Sequence, residues 1–316
     1  MVDKSLISLR LKCATWHNEF VSSYEFVSAS GGPLPGFTAG SHIGLVLPVG
    51  VRTYSLLNDP SETHRYVLGV ARERNGRGGS AYMHDQLRIG TVLQASAPRN
   101  LFPLHEGGGP VLLIAGGIGI TPMLSMAAQL EFEGRPWRLV YAVRDAEQEA
   151  FSEQLGQWPG KVTKHRDADA GALLDMATLV SAAPPHTHFY CCGPAPMLDA
   201  YQKACALLPQ EQVHWERFSA AAQTPELSGG FDVVLAKSGR CIRVNEGQSI
   251  LQALSVAGIQ APSSCKQGIC GVCETRVIEG VPDHRDSLLS EFERQANNAI
   301  MICCSRARSP SLTLDL

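Results

Sequence analysis

The chain has 316 residues, 44% of them hydrophobic and 18% charged, with a formal net charge of −3. That length exceeds one ordinary core and argues for two or three domains, and the near-neutral charge leaves no footprint for nucleic acid. No apolar run reaches the ~18 residues that span a bilayer, and residues 1–5 lack the basic and apolar parts of a leader. A cytoplasmic protein that keeps most of its ten cysteines as reduced thiols is therefore expected.

The first hundred residues read as short β-strands. Ile7, Leu9 and Leu11 alternate with Ser8, Arg10 and Lys12, as in a half-buried strand. Strands at 21–29 and 41–47 follow, separated by a Gly/Pro cluster at 31–36. The spacing predicts a small antiparallel barrel over residues 1–106. Two stretches in it carry chemistry: Arg52-Thr53-Tyr54-Ser55, and Gly76-Arg77-Gly78-Gly79-Ser80 ahead of a helix predicted at 81–87. Glycines and a serine at a helix start expose amides and a hydroxyl to an anion.

Beyond residue 106 the pattern changes. Residues 111–115 are continuously apolar, as in a buried parallel strand, and lead into Gly116-Gly117-Ile118-Gly119-Ile120-Thr121-Pro122 and a helix predicted at 123–132. Strand, glycine turn and helix start together form a seat for a dinucleotide pyrophosphate. A strand at 138–143 ends on Arg144 and Asp145. Asp145 suits a free ribose 2′-hydroxyl and Arg144 a 2′-phosphate, so the pair does not choose between NADH and NADPH. A further strand opens into Cys192-Gly193-Pro194 and a helix, and residues 213–218 close an α/β parallel-sheet domain (107–219) at Phe218.

Residues 220–230 are small, polar and Pro/Gly-punctuated, and read as a linker. In residues 231–316, strands at 231–236 and 242–244 and a helix at 249–256 precede Cys265, Cys270 and Cys273. The spacing C-x4-C-x2-C with a distant fourth cysteine is the ligand pattern of a plant-type [2Fe–2S] cluster. A zinc site or a disulfide group competes, but zinc usually takes two paired ligand sets and the second pair is missing. Gly268 and Gly271 lie where a side chain would crowd the inorganic sulfides. A strand at 299–302 runs into adjacent Cys303 and Cys304, and a period of two turns only one of them toward the cluster. Asp283, His284, Arg285 and Asp286 are expected in a solvated loop.

These motifs, in this order, cover nearly the whole chain. They resemble the ferredoxin-NADP-reductase-like superfamily and, within it, the phthalate dioxygenase reductase family. The resemblance implies an antiparallel β-barrel flavin domain, an α/β parallel-sheet nucleotide domain and a C-terminal α+β plant-type ferredoxin domain. It implies FMN held by Arg52, Thr53, Tyr54, Ser55, Gly76, Arg77, Gly78, Gly79 and Ser80. NADH would be held by Gly116, Gly117, Gly119, Thr121, Pro122, Arg144, Asp145, Cys192, Gly193 and Pro194, with the aromatic Phe218 covering the flavin. It also selects Cys303 as the fourth iron ligand beside Cys265, Cys270 and Cys273, because similar domains show Cys-x-Ser-Arg-Ala here. The implied function is electron transfer from NADH through FMN and the cluster to the Rieske-type oxygenase of an aromatic-ring dioxygenase or demethylase. Reduction of a different monooxygenase, or a redox-sensing interaction role, are the rival functions.

Overall fold

The alternation at the start of the chain forms β1 (Ile7–Trp16), followed by β2 (Val21–Ser28), β3 (Ser41–Leu47), β4 (Gly50–Ser55) and β5 (Tyr66–Ala71). Helix α1 (Gly79–Asp85), β6 (Val92–Ala95) and the short β7 (Arg99–Asn100) complete this part. The strands pair antiparallel in the order β4-β3-β6-β1-β2-β5, with β7 on β3. A bridge between Leu56 and Leu68 joins the end of β4 to β5 and nearly closes the barrel. Its interior holds Leu9, Leu11, Phe26, Ile43, Leu45 and Leu68. Helix α1 starts two residues before the predicted 81, because Gly78 at φ +80° supplies a left-handed N-cap.

The computed structural model describes residues 6–73, 76–218, 229–289 and 291–316. The linker expected at 220–230 lies outside these residues except for Gly229 and Gly230. By contacts the chain divides into two units, Met1–Phe218 and Ser219–Leu316.

The rest of the first unit is a layered α/β fold. Its parallel strands are β8 (Val111–Gly116), β9 (Trp137–Val143), β10 (Val162–Arg166), β11 (His188–Cys192) and β12 (Val213–Glu216), in the order β10-β9-β8-β11-β12. Helices α2 (Ile120–Phe132), α3 (Ser152–Leu155), α4 (Asp167–Ala170), α5 (Met176–Ser181) and α6 (Ala195–Ala204) connect them. All of β8 is buried, as a central strand covered on both faces must be. Helix α2 begins three residues before the predicted 123. Pro122 sits in its first turn, where a missing N–H removes no helix bond. Chain order reverses between β8 and β11, and the crevice beyond their carboxyl ends is where such sheets take ligands.

In the second unit, β13 (Phe231–Leu235), β14 (Cys241–Val244), α7 (Ile250–Val256), β15 (Glu274–Glu279), β16 (Pro282–Asp283), α8 (Glu291–Ala296), β17 (Ala299–Met301), β18 (Arg306–Ala307) and β19 (Ser311–Leu314) follow in sequence. The main sheet runs β14-β13-β19-β15-β17. Ser249 and Gln252 start α7 with a reciprocal capping box, worth about 1 kcal/mol. Cys273, Cys303 and Cys304 share the apolar core with Val233, Leu254 and Leu312, so the cysteine loop is anchored in the fold's interior.

Candidate functional site

In the barrel, Arg52 leaves β4 and lies along the glycine turn before α1. Its Nη2 donates to the carbonyls of Arg77 (2.5 Å) and Val49 (2.9 Å), and its Nη1 to that of Val51 (2.9 Å). A Cβ on Gly79 would stand 2.6 Å from the Arg52 Cγ, so the glycine is required by the arginine stem. The two distant motifs thus meet, but three of the five guanidinium protons serve backbone carbonyls. Arg52 clamps the turn and keeps only its remaining donors for an anion. Gly76 lies against the Glu73 carboxylate, and the Ser80 hydroxyl accepts from the Glu73 N–H at 3.1 Å.

Further along the same strand, Ser55 is buried and Tyr54 packs on the barrel core, its phenol pushed to a higher pKa by burial. The buried Thr53 Oγ1 has no hydrogen-bond partner. A shut-in hydroxyl without a partner is costly. A bound group offering a hydrogen bond there would remove that cost, so Thr53 fits a ligand-facing position.

The nucleotide side is built from backbone. Gly117, at φ +53°, opens a single turn that ends at Gly119. A Cβ on Gly119 would be 2.1 Å from the Cys192 carbonyl oxygen. One on Gly116 would be 2.7 Å from Pro194 Cδ, with the Cα of Gly193 close by. The turns after β8 and β11 therefore touch backbone to backbone at the topological switch. Thr121 is fully buried, and its hydroxyl donates to the Ile118 carbonyl at 3.0 Å. Its methyl presses on β5 so closely that a Cβ on Gly69 would be 2.5 Å away. Thr121 consequently stands where the nucleotide turn meets the barrel.

Other expected residues have different surroundings. Both carboxylate oxygens of Asp145 are used locally, accepting from the Gln148 N–H (3.0 Å) and its side-chain amide (3.2 Å), while Arg144 is exposed. The Cys192 thiol is sealed in the core and pushed well up by burial, so it behaves as an apolar group rather than a reactive thiolate. Phe218 is 38% exposed, two residues beyond β12.

Glu216 escaped the sequence reading. It ends β12 opposite Cys192 in the parallel register. The residue is half-buried overall, but its Oε2 is sealed and unpartnered, and desolvation pushes its carboxyl up to about 8. The available signal was a carboxylate closing the last parallel strand, beside the glycine turn.

In the second unit, Cys265, Cys270, Cys273 and Cys303 are all buried. The Cys265 thiol is within hydrogen-bonding reach of those of Cys270 and Cys303, and the Cys273 thiol of that of Cys303. Backbone amides face the sulfurs: Cys265 N–H donates to Cys270 Sγ (3.4 Å) and Gln267 N–H to Cys265 Sγ (3.3 Å). Four converging thiols with amide donors suit thiolates around an iron–sulfur core. Among the described residues no three His, Cys, Asp or Glu side chains close on a single metal ion. A two-iron core spreads its thiolates over two centres.

Two expectations need correction here. The strand before the fourth ligand ends at Met301. Residues 302–304 form a turn, with the Cys304 and Ser305 N–H groups on the Met301 carbonyl, so strand periodicity does not distinguish the two cysteines. The turn separates them in part: Cys303 is within hydrogen-bonding reach of Cys265 and Cys273, whereas the Cys304 Sγ lies over Gly268 and reaches Cys303. The 283–286 stretch is not solvated. Asp283 and Asp286 are 9% and 4% exposed, and a Cβ on Gly268 would be 2.8 Å from the Asp286 Cα. Gly268 and Gly271 do adopt positive φ, +69° and +66°. For Gly268 the side-chain-free position is demanded by the 286 backbone and Cys304.

Residues 113–203 match the oxidoreductase NAD-binding domain model, and residues 233–308 the 2Fe-2S iron-sulfur cluster binding domain model. Fold and donor set define a flavin- and iron–sulfur-dependent NADH oxidoreductase, with FMN, NADH and a [2Fe–2S] cluster as its cofactors. The chain is 46% identical to phenoxybenzoate dioxygenase subunit beta of Ectopseudomonas oleovorans, over 98% of this chain and 97% of the relative. A solved phthalate dioxygenase reductase is 39% identical, with a TM-score of 0.75, covering 99% of this chain and 98% of its own. An intact type IV self-sufficient cytochrome P450 monooxygenase matches at 37% identity and a TM-score of 0.90, over 98% of this chain but only 41% of that longer chain. The chain belongs to the phthalate dioxygenase reductase family. Its function is electron transfer as a reductase. Among the described residues, no helix is long and apolar enough to cross a membrane.

Proposed function

We propose that Arg52, Thr53, Tyr54, Ser55 and the Gly76–Ser80 turn hold FMN in a domain of residues 1–106. On this reading Gly116, Gly117, Gly119, Thr121, Pro122, Gly193 and Pro194 seat NADH in residues 107–219. Cys265, Cys270, Cys273 and Cys303 hold the cluster in residues 231–316. A flavin exchanges either one or two electrons, so FMN connects the two-electron donor to the one-electron cluster. The chain's own residues position and exclude: the glycine turns admit the pyrophosphate, Thr121 holds the turn against the barrel, and Arg52 fixes the flavin loop. Hydride transfer between two cofactors needs no protein nucleophile, and the buried Cys192 supplies none.

The observation that carries this reading is the contact of Thr121 with Gly69, which brings the nucleotide turn onto the flavin barrel. Asp145, Arg144 and Cys192 contribute less than the motif suggests: the first is engaged in its own turn, the second is exposed and the third buried. We assign Phe218 only a position beside the flavin.

The electron acceptor we propose is the Rieske-type component of an aromatic-ring oxygenase; the similarity to a phenoxybenzoate dioxygenase subunit supports an oxygenase as the partner. Cys191 and Cys205 are buried as free thiols, which suits a reducing cytoplasm. A haem monooxygenase is the second reading, favoured by the 0.90 match to part of a self-sufficient P450. The test is anaerobic NADH reduction of the purified chain, identification of the released flavin, and then coupled turnover with each class of oxygenase. FMN release and product formed only with the Rieske partner uphold the proposal; turnover with the haem enzyme alone overturns the partner assignment.

A further inference from the structure

The stretch expected to be solvated is instead packed against the cluster-binding loop. The Asp286 side chain is wholly buried. Its Oδ2 accepts from the N–H groups of Leu288 (3.1 Å) and Leu289 (2.8 Å), and its Oδ1 from the Ser305 hydroxyl (3.5 Å). Ser305 in turn accepts from the Arg285 N–H at 3.1 Å. The Ser287 N–H donates to the Gly268 carbonyl at 3.0 Å, and the Asp286 Cα closes on Gly268 itself. One short segment therefore ties the loop that carries Cys265, Cys270 and Cys273 to the turn that carries Cys303.

We propose that Asp286 is a positioning residue of the iron–sulfur site and that its buried charge sets the reduction potential of the cluster. This rests on the assignment of the four cysteines as iron ligands. Reduction adds one electron and neither makes nor breaks a bond, so the site gains one negative charge in a poorly hydrated place. A fixed anion packed on the cysteine loop opposes that gain, and a fixed cation favours it. Both are present. Arg294 Nη2 stands 3.9 Å from the Asp286 Oδ2 and donates to the Asp286 carbonyl at 2.7 Å. His284 Nδ1 is 3.8 Å from Oδ1, with its imidazole held below its ordinary pKa by burial. The carboxylate is thus partly compensated, and removing either partner of the Asp286–Arg294 pair moves the local charge in opposite directions.

The test uses the full chain, with mediated spectroelectrochemical titration of the cluster, iron and acid-labile sulfide counts, and the electron paramagnetic resonance of the reduced state. Asp286→Asn is expected to raise the potential and Arg294→Gln to lower it, both at wild-type iron and sulfide content. A purely structural role would broaden the resonance or lose iron without opposite shifts. If Asp286→Asn fails to assemble the cluster, the positioning half stands and Arg294→Gln alone decides the electrostatic half. Unchanged potentials, or shifts of one sign in both variants, overturn the proposal. Absence of iron and sulfide from the wild-type chain would instead sink the ligand assignment on which the proposal depends.

Discussion

The nucleotide turns and the cysteine loop solve opposite problems. Around Gly116, Gly119 and Gly193 the chain leaves side chains out, so that two backbone turns touch at the carboxyl ends of β8 and β11. Around Cys265 it brings thiols together and packs a buried carboxylate against the loop that carries them. The first kind is set by steric exclusion and tolerates no added atom. The second is set by donor chemistry and tolerates neighbours that are not donors. The two therefore fail differently when altered.

The sharpest contrast is between the adjacent thiols. Cys303→Ser is expected to lose most of the cluster and to cut electron delivery to a one-electron acceptor by about 100-fold or more. Reduction of the flavin by NADH should continue. Cys304→Ala should keep a full complement of iron, because its sulfur lies over Gly268 and beside Cys303, rather than against Cys265 and Cys273. Equal iron loss in both variants would mean that the turn at 302–304 does not distinguish them.

On the steric side, Gly119→Ala places a methyl 2.1 Å from the Cys192 carbonyl oxygen, which belongs to backbone and cannot swing away. Overpacking of this kind costs about 1–3 kcal/mol. The expected result is a lower unfolding midpoint and a KM for NADH raised about tenfold, with iron content unchanged. A wild-type KM would show that the close approach of the two turns is not needed to bind the nucleotide.

The fold class and the cofactor set were legible because most of each motif is local. Three of the four cysteines, the glycines after an apolar strand and the Arg-x-Tyr-Ser stretch each fall within a dozen residues. What was not legible depends on partners far apart in the chain. Asp286 looked like a hydrophilic loop residue, and only the fold brings Gly268, Ser305 and Arg294 around it. Glu216 drew no reading from the sequence, and only the fold sets it opposite Cys192 with one carboxylate oxygen sealed and unpartnered. Cys303 was chosen by resemblance, and the turn that orients it is not a continuation of the strand before it.

Glu216 adds a pH dependence to the glycine-built half that the cysteine loop does not require. Its folded pKa is raised to about 8 from an ordinary 4.5. The folded state therefore holds the proton more tightly than the unfolded state does. The stability linked to this group is fully present below about pH 4.5 and declines as pH rises to about 8. Glu216→Gln keeps the shape of the protonated acid, and should raise stability at pH 7.5 by on the order of 2–4 kcal/mol and flatten the decline. An unfolding midpoint with the same pH slope in both proteins would place the titrating group elsewhere.

The smallest effect expected lies at the other end of the same sheet. His105, His188 and His214 stack in a row, and His214 also stacks on Tyr190 at a centroid distance of 4.3 Å. Burial, then the neighbouring His188 and His105, lower the His214 pKa from 6.5 to about 4. Arg135 adds to the lowering of His188, while Glu211 opposes it at both rings. Here the sign is reversed: between about pH 6.5 and 4 the unfolded chain takes up protons that the folded stack refuses, so stability falls as the solution is acidified. His214→Phe preserves the stacking surface and removes the titration. It should shallow the acid limb of the unfolding midpoint against pH and leave the limb above pH 7 unchanged. If instead the variant loses stability equally at every pH, the ring nitrogens matter for their contact with His188, 3.4 Å away, and not for their refusal of a proton.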